Sequence, residues 1–250
     1  MLSKPDISRI RSLAHKKFRW EYKEFIIEGV KMVEELLLNP SVYKIKRLFV
    51  RENLFQAPAH IHAEYVTENE MARITSLTSP SPALAVVSIP DPVFIEPQKE
   101  HLYIALDGIR DPGNFGTILR LADWFDIKAV YASEDCVELY NPKTVQATMG
   151  ALLRVPVCYT SLPRLFSDCG MPVAGTLLQG GENIYNIPLP DSGFIVLGSE
   201  SHGISSEVVP LLTCKLFIPS YRKGSESLNV ATAAAITCAM FRKDAPPAAI

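Results

Sequence analysis

The sequence lacks any long hydrophobic run. No uninterrupted apolar stretch in its 250 residues approaches the ~20 residues that a transmembrane helix needs. The basic residues near the N-terminus are not followed by the apolar core of a secretory signal peptide. With 48% hydrophobic and 21% charged residues, the composition is that of an ordinary globular protein. We therefore expect a cytoplasmic location and no membrane partner.

Cysteine is scarce as well, and its five residues are widely spaced with no CxxC pair. They are Cys136, Cys158, Cys169, Cys214 and Cys238. An odd number at such spacing argues against a disulfide framework and against a zinc site. We expect reduced core cysteines and no metal centre.

Two common nucleotide-binding fingerprints are also missing. The sequence contains neither a GxGxxG pattern nor a GxxxxGKS/T pattern. Their absence disfavours an NAD-dependent enzyme and a P-loop NTPase.

What the sequence does have is an uneven distribution of charge. The net charge is only −2, but residues 1–51 hold 12 Lys and Arg against 6 Asp and Glu, whereas the remainder holds 13 against 21. A basic excess at one end is typical of a phosphate-binding surface, and equally of a solvated helix face. The candidate RNA-contacting residues are Arg9, Arg11, Lys16, Lys17 and Arg19.

Aromatic and charged side chains alternate in residues 17–23, KFRWEYK. In an RNA-binding surface, cations contact phosphate while rings such as Phe18, Trp20 and Tyr22 stack on unpaired bases. The same alternation is typical of a half-buried strand whose rings face a core. Both interpretations remain open, and we expect at least half of these aromatics to be structural.

The first 90 residues predict a small α/β domain, because short helical and extended patterns alternate there. Three prolines follow in residues 89–97 and favour an extended chain. We therefore predict a first domain at 1–90, a linker at 91–99 and a second domain at 100–245. The predicted elements of the first domain are helices 6–18, 28–38 and 69–77 and strands 46–50, 65–66 and 84–89.

From Leu102 onward, short apolar strands alternate with helix-like segments. This alternation predicts a mainly parallel sheet with helices on both faces, which is an α/β fold. The predicted strands are LYIALD, IKAVYAS, PVCYT, PVAGTLL, FIVLGS and KLFIP, and the predicted helices span 115–124, 143–153, 162–167, 205–212 and 227–241.

The stretch 106–121, LDGIRDPGNFGTILRL, predicts a tight turn from a strand into a helix. In an open α/β sheet such a turn lies at the carboxyl end of a strand, where ligands bind. Asn114 is a candidate helix cap, and Arg120 follows nearly two turns later. An amide and a guanidinium at this place suit an anionic or hydroxyl-bearing substrate, although an ordinary loop can contain the same residues.

Two later stretches have the same character. Residues 194–205, FIVLGSESHGIS, run from a strand into a Gly-rich turn, and residues 218–240 join a strand end to a helix of small residues. With 106–121 they resemble, in order and spacing, the three motifs of the SpoU-type (TrmH-like) RNA 2′-O-ribose methyltransferases of the SPOUT superfamily. The matching residues are Asn114, Arg120, Leu197, Gly198, Ser199, Glu200, Gly203, Ile218, Pro219, Ser227, Leu228, Asn229 and Val230.

The resemblance implies an α/β catalytic domain with a deep trefoil knot, preceded by a small domain similar to the L30e-like RNA-binding domain. It also implies S-adenosyl-L-methionine as cofactor and a homodimer formed through the catalytic domain. The implied substrate is RNA, and the first domain favours ribosomal RNA by analogy. The alternatives are the same reaction on transfer RNA and a non-catalytic RNA-binding scaffold of the same fold.

The resemblance also implies roles for individual residues. The implied cofactor-binding residues are Leu197, Gly198, Ser199, Glu200, Gly203, Ile218, Pro219, Ser227, Leu228 and Asn229. The implied catalytic residues are Arg120, Asn114, Glu200, Ser227 and Asn229. In the family the arginine is proposed to help deprotonate the 2′-hydroxyl, but guanidinium groups stay protonated in proteins. For Arg120 we prefer a role in holding phosphate and stabilising developing alkoxide charge, with the role of base as the alternative.

Two details of the motifs stand apart. His202 lies beside Glu200 at a variable position of the second motif, and we expect it to be a bystander rather than a base. One residue more than the usual family spacing separates Pro219 from Ser227, which leaves the contacts of Arg222 and Lys223 undecided.

The closing helix 227–241 is apolar nearly all round and must be buried on most sides. Its small residues allow close approach of a second, symmetry-related copy. We expect it to contribute to a homodimer interface, the alternative being burial within the sheet of one subunit.

Overall fold

The computed structural model describes residues 2–40, 43–222 and 227–246, which form two compact units. One unit combines Met1–Pro92 with Glu138–Leu153, and the other combines Val93–Val137 with Arg154–Ile250. Across the described ranges, no helix is both long and apolar enough to cross a membrane.

Residues 2–92 contain α1 (Lys4–Ser12), α2 (Lys16–Tyr22), β1 (Glu24–Glu28), α3 (Val30–Leu38), β2 (Ile45–Arg51), β3 (Glu64–Val66), α4 (Glu68–Ile74) and β4 (Ala83–Ser88). Residues 93–246 contain β5 (Leu102–Asp107), α5 (Pro112–Trp124), β6 (Val130–Ala132), α6 (Pro142–Thr148), a 3₁₀ turn (Ala151–Leu153), β7 (Val157–Tyr159), α7 (Leu162–Cys169), β8 (Val173–Thr176), β9 (Glu182–Asn183), β10 (Gly193–Gly198), a 3₁₀ turn (Val209–Leu211), β11 (Cys214–Phe217) and α8 (Val230–Phe241).

A mixed sheet of order β1-β4-β2-β3 organises the first unit. The pairs β1–β4 and β4–β2 are antiparallel, and β2–β3 is parallel. Helices α1 and α4 cover one face through Ile7, Ile10, Met71 and Ile74, which pack with strand residues such as Phe49. The small α/β unit predicted for this part of the chain is thus present.

The N-terminal helix predicted over 6–18 is two helices, and the segment 17–23 is helical rather than a strand. In α2, Phe18 and Tyr22 lie one turn apart and their rings stack at 6.0 Å. The strand follows only after Lys23, whose φ of 54° ends the helix. The strand interpretation was therefore wrong for 17–23, because a pattern of period two was too short to exclude a helical turn.

Segment 138–153, which we predicted as part of the second domain, packs with the first unit. Helix α6 lies against β1, and the Tyr140 ring lies 4.6 Å from the Phe25 ring. Glu138 accepts two hydrogen bonds from Arg19, at 3.2 and 2.7 Å. Residues 138–153 therefore belong to the first unit, to which they add α6.

Arg19 is only 2% exposed. Its remaining guanidinium nitrogen donates to the carbonyls of Leu13 and Ala14 at 2.8 and 2.9 Å. All three guanidinium nitrogens of this buried arginine donate to acceptors within the first unit, so the group is not presented to phosphate. This burial argues against the prediction that Arg19 contacts RNA.

In the second unit, seven strands of the described chain form a sheet of order β7-β6-β5-β10-β8-β11-β9, and every paired neighbour is parallel. The predicted parallel sheet is confirmed. Strands β5 and β10 lie side by side in a register that pairs Leu106 with Leu197 and Asp107 with Gly198. The first two motifs therefore leave the sheet next to each other.

Two helix predictions in this unit need correction. The helix expected at 205–212 is a loop with a 3₁₀ turn, because Pro210 lacks the N–H that an α-helix interior requires. The closing helix begins at Val230 rather than Ser227, since its N-cap is Asn229, which with Ser225 and Ser227 was one of three candidates in the sequence for the start of this helix.

Candidate active site

The loops after β5 and β10 are tied together by a carboxylate at the end of β5. Asp107 is 9% exposed and accepts a hydrogen bond from the backbone N–H of Ser205 at 2.7 Å. No local pattern in the sequence predicts this contact, which joins residues 98 positions apart. The structure shows that this acid holds the loop of the second motif against the strand of the first.

Helix α5 begins with Asp111 as its N-cap, and not with Asn114 as we had predicted. The Asp111 side chain accepts from the Asn114 backbone N–H at 2.8 Å, and Pro112 occupies the first turn. An Asp followed by Pro is a standard helix-start signal and was available in the sequence. Because Asp111 caps the helix, the Asn114 side chain is left to make other contacts.

Those contacts join one residue from each of the three motifs. The Asn114 amide nitrogen donates to a Glu200 carboxylate oxygen, and its amide oxygen accepts from the Asn229 amide nitrogen at 2.9 Å. Asn229 in turn accepts from the backbone N–H groups of Ala231 and Thr232, at 2.9 and 3.3 Å, and so caps α8. We call Asn114, Glu200 and Asn229 the amide–carboxylate cluster.

The loop that carries Glu200 is a tight backbone structure. Ser199 and Gly203 exchange two backbone hydrogen bonds, at 3.0 and 2.8 Å, and Gly203 has a φ of 68°. A Cβ built at Gly198 would lie 2.1 Å from the Gly203 carbonyl carbon. Only glycine permits this approach of two backbone segments, and the approach fixes where Glu200 projects.

His202 makes local contacts only. Its backbone N–H donates to the Ser199 hydroxyl at 3.2 Å, and its ring Nδ1 pairs with the Ser201 hydroxyl at 2.7 Å. Within the described residues it has no hydrogen bond to the amide–carboxylate cluster. This geometry agrees with a bystander.

The remaining predicted residues lie outside the cluster. Ile218 and Pro219 are half-buried after β11, whereas Ser227 and Leu228 are exposed. Arg120 is exposed on α5 and has no hydrogen bond or ion pair to any described residue. Lys223 and the rest of the inserted turn up to Glu226 lie outside the described residues. The structure therefore brings together Asn114, Glu200 and Asn229, but neither Arg120 nor Ser227.

The site consists of amide, carboxylate and hydroxyl groups and backbone. Among the described residues, no group of three or more His, Cys, Asp or Glu side chains is arranged to hold a metal ion. Helix α8 packs against α5 and β10, so the helices of the first and third motifs and the strand of the second support one another. Such an arrangement can bind and orient a polar substrate with fixed hydrogen-bonding groups.

Comparison with known proteins identifies the class. An RNA methyltransferase structure assigned to the TrmH family, from Porphyromonas gingivalis, superposes with a TM-score of 0.85 at 38% identity, covering 97% of this chain and 99% of that chain. The AdoMet-bound rRNA methyltransferase of Sinorhizobium meliloti gives 0.86 at 27% identity, covering 99% and 97%. The fold and the three-motif site thus define an RNA methyltransferase.

The chain belongs to the SpoU rRNA Methylase family, whose model matches residues 101–239. An MRM3-like substrate binding domain matches residues 4–85. The 23S rRNA (guanosine(2553)-2′-O)-methyltransferase RlmP of Bacillus subtilis is 30% identical over 233 residues, which cover 90% of this chain and 91% of that protein. These matches confirm the resemblance seen in the three motifs.

Proposed function

We propose that this protein transfers a methyl group from S-adenosylmethionine to a ribose 2′-hydroxyl of ribosomal RNA. The observation that carries the proposal is the amide–carboxylate cluster, in which all three motifs of a SpoU-family chain meet through Asn114. The rRNA methyltransferase RlmP, similar over nearly the whole chain, favours ribosomal over transfer RNA.

The loops around the cluster suit an adenosine-containing cofactor. Gly198 allows the backbone of the second motif to pack closely, and Leu228, which is 48% exposed, and Ile218, which is half-buried, each offer apolar surface. When bound, the cofactor supplies an activated methyl group on a sulfonium. Leu197 and Ser199, with Gly203, Pro219 and Ser227, complete the proposed cofactor-binding set.

The protein's side chains then have to orient the ribose and stabilise the negative charge that develops on its 2′-oxygen. Glu200 and Asn229 fix the direction of the Asn114 amide, so Asn114 presents defined hydrogen-bonding groups to the ribose. Arg120, exposed and unengaged within the described residues, holds the neighbouring phosphate and stabilises the alkoxide charge as it develops. Alignment of two reactants in this way lowers the activation free energy of a bimolecular reaction by up to ~7–11 kcal/mol.

The proposal is tested by incubating the purified protein and labelled cofactor with ribosomal RNA or transfer RNA, and by mapping ribose methylations that disappear when the gene is deleted. We expect one or a few 2′-O-methyl sites on ribosomal RNA. Methylation of transfer RNA alone would favour the first alternative. RNA binding without methylation would favour the scaffold.

The RNA-binding part of the proposal concerns exposed cations of α1 and α2. Arg9 is 51% exposed, pairs with Glu24 and stacks 4.6 Å over the Tyr22 ring. Arg11, Lys16 and Lys17 are exposed, and the Lys17 ammonium lies 5.7 Å from the centre of the Phe18 ring. We call Arg9, Arg11, Lys16 and Lys17 the α1–α2 basic surface. Cations beside aromatic rings support binding of phosphate and unpaired bases.

Replacing Arg11, Lys16 and Lys17 together by Ala should weaken RNA binding about tenfold or more and flatten its salt dependence, because each phosphate contact releases counterions. The matched control replaces Lys31, Lys46 and Arg73, which are exposed elsewhere in the same unit. Filter binding at several salt concentrations measures both effects. Equal loss in the two triple variants would show that only net charge matters.

We also propose a homodimer through the second unit. Helix α8 buries Val230, Ala234 and Cys238 inside the unit, but Ala239 is exposed and Ile236 half-exposed. On α5, Trp124 is 83% exposed. Apolar side chains left uncovered on these two packed helices support a self-complementary contact.

Light scattering at micromolar concentration should give about twice 27.7 kDa for the wild type. Ala239→Glu should lower the mass to that of the monomer and reduce activity, since it places a charge in the proposed interface. The control is Ala72→Glu, an exposed alanine on α4. An active wild-type monomer would contradict the dimer.

Two further proposals concern the chain path and the location. The position of β10 between β5 and β8 supports the trefoil knot expected for the family.

All five cysteines are free thiols, which supports a reducing compartment such as the cytoplasm.

A further inference from the structure

The turn between β5 and α5 is held by the loop that follows β6. The Gly108 N–H donates to the Ser133 hydroxyl oxygen at 2.9 Å, and the Ile109 N–H donates to the Cys136 sulfur at 3.2 Å. The Ile109 carbonyl accepts from the Val137 N–H at 2.9 Å. Both backbone donors at the start of the turn thus bind side chains about 25 residues away.

Ser133 can hold Gly108 only if its own proton points elsewhere. The hydroxyl donates to Asp135 at 2.6 Å, and the other Asp135 oxygen accepts from Arg110 at 3.0 Å. The hydrogen bond from Ser133, with help from Arg110, holds the pKa of Asp135 below its ordinary value against the opposing effect of desolvation. An ionised carboxylate only accepts hydrogen bonds, so Asp135 fixes the direction of the Ser133 hydroxyl.

The position of Gly108 matters for both motifs beside it. The preceding residue, Asp107, binds the Ser205 N–H of the second motif, and Asp111, three residues later, caps the helix that carries Asn114. Gly108 itself has a φ of 71°, a conformation that glycine adopts without steric cost, and its N–H is held by Ser133. A shift at Gly108 would displace Asn114 from Glu200 and Asn229.

We propose that Ser133 and Asp135 are positioning residues for methyl transfer, holding the turn at Gly108 so that Asn114 meets its partners from the other two motifs. This role rests on the proposed function, and neither residue lies in the three motifs. Asp135 acts through Ser133, and Ser133 acts through the backbone of the turn.

Single-turnover kinetics with ribosomal RNA tests the proposal. Ser133→Ala should lower the rate of transfer on the order of tenfold to a hundredfold, since misplacement by about 1 Å has such effects, while the KM for RNA changes little. Ser133→Thr, which restores a hydroxyl, should recover most of the rate. Glu134→Ala is the matched control, because Glu134 is exposed and has no hydrogen bond within the described residues.

Comparing single and double variants of Ser133 and Asp135 tests whether one residue acts through the other. Asp135→Ala should slow transfer less than Ser133→Ala, and the double variant should be no slower than Ser133→Ala alone, since one residue acts through the other. If the two substitutions instead acted by destabilising the fold, each would lower the melting temperature, and the two decreases would add in the double variant. Multiplying effects, or a wild-type rate in Ser133→Ala, would overturn the proposal.

A second measurement does not depend on activity. Amide hydrogen exchange at residues 108–114 should be faster in Ser133→Ala than in the wild type, and unchanged in Glu134→Ala. Unchanged exchange in Ser133→Ala would overturn the positioning role whatever the assay shows. A wild type that methylates no RNA would contradict the proposed function itself, and faster exchange would still support the contact between Ser133 and the turn.

Discussion

Arg120→Ala is expected to lower methyl transfer by at least about 10²- to 10³-fold, the range seen when a group that stabilises transition-state charge is removed. The affinity for S-adenosylmethionine should stay nearly unchanged. Arg120 is exposed on α5 and has no partner among the described residues, so its removal leaves the fold and the amide–carboxylate cluster intact. Its five donors are available to a phosphate, which a guanidinium binds with two parallel hydrogen bonds.

Calorimetric titration of the cofactor, alongside a single-turnover assay on RNA, measures both halves of this prediction. Arg164→Ala is the matched control, since Arg164 is an exposed arginine on α7 of the same unit. Arg120→Lys keeps the charge but loses the planar fork, and we expect intermediate activity from it. Normal turnover in Arg120→Ala would refute any catalytic role for this residue.

The parts of the fold that the sequence predicted well are those decided by continuous local patterns. The runs at Leu102–Leu106 and Phe194–Leu197 are apolar at every position, which is typical of a strand buried on both faces. Both proved to be neighbouring strands at the centre of a parallel sheet. The loops that follow β5 and β10 were also located correctly, because Gly, Pro, Asn and Asp mark turns by their backbone chemistry.

The errors arose where a distant partner decides the outcome. Arg19 belongs to a basic segment and was predicted to be a surface cation. It is buried instead, and it pairs with Glu138, 119 residues further along the chain. Segment 138–153 lies in sequence between the two parts of the second unit but packs with the first, since Tyr140 and α6 lie against β1. Composition counts charges and apolar residues, but it does not show which of them are paired.

The site shows the same division between local and distant information. Asn114, Glu200 and Asn229 were predicted as site residues from the order and spacing of the motifs, but the hydrogen bonds between them span 86 and 115 residues and had no local signal. The N-cap Asp111 did have a local signal, the Pro112 that follows it, but we had assigned the cap to Asn114 instead. Ser133 and Asp135 had none, because a Ser and an Asp after a strand are ordinary loop residues.

The second large effect is expected from Gly198→Ala. A Cβ at this position would lie 2.1 Å from the Gly203 carbonyl carbon and 2.2 Å from the Ile204 nitrogen. Both are backbone atoms, so no side-chain rotation relieves the overlap, and the Ser199–Gly203 hydrogen bonds must open. The displaced loop would carry Glu200 away from Asn114.

We expect the free energy of unfolding to fall by about 4 kcal/mol or more, a size reserved for backbone overlap and similar defects. Cofactor binding should be lost with it. The control is Gly170→Ala at the end of α7, where φ is 57° but a Cβ meets nothing within 4 Å. That variant should cost only about 1 kcal/mol, the strain of the left-handed conformation alone. Chemical denaturation and cofactor titration of both variants separate overlap from strain, and equal effects would contradict the close approach at Gly198.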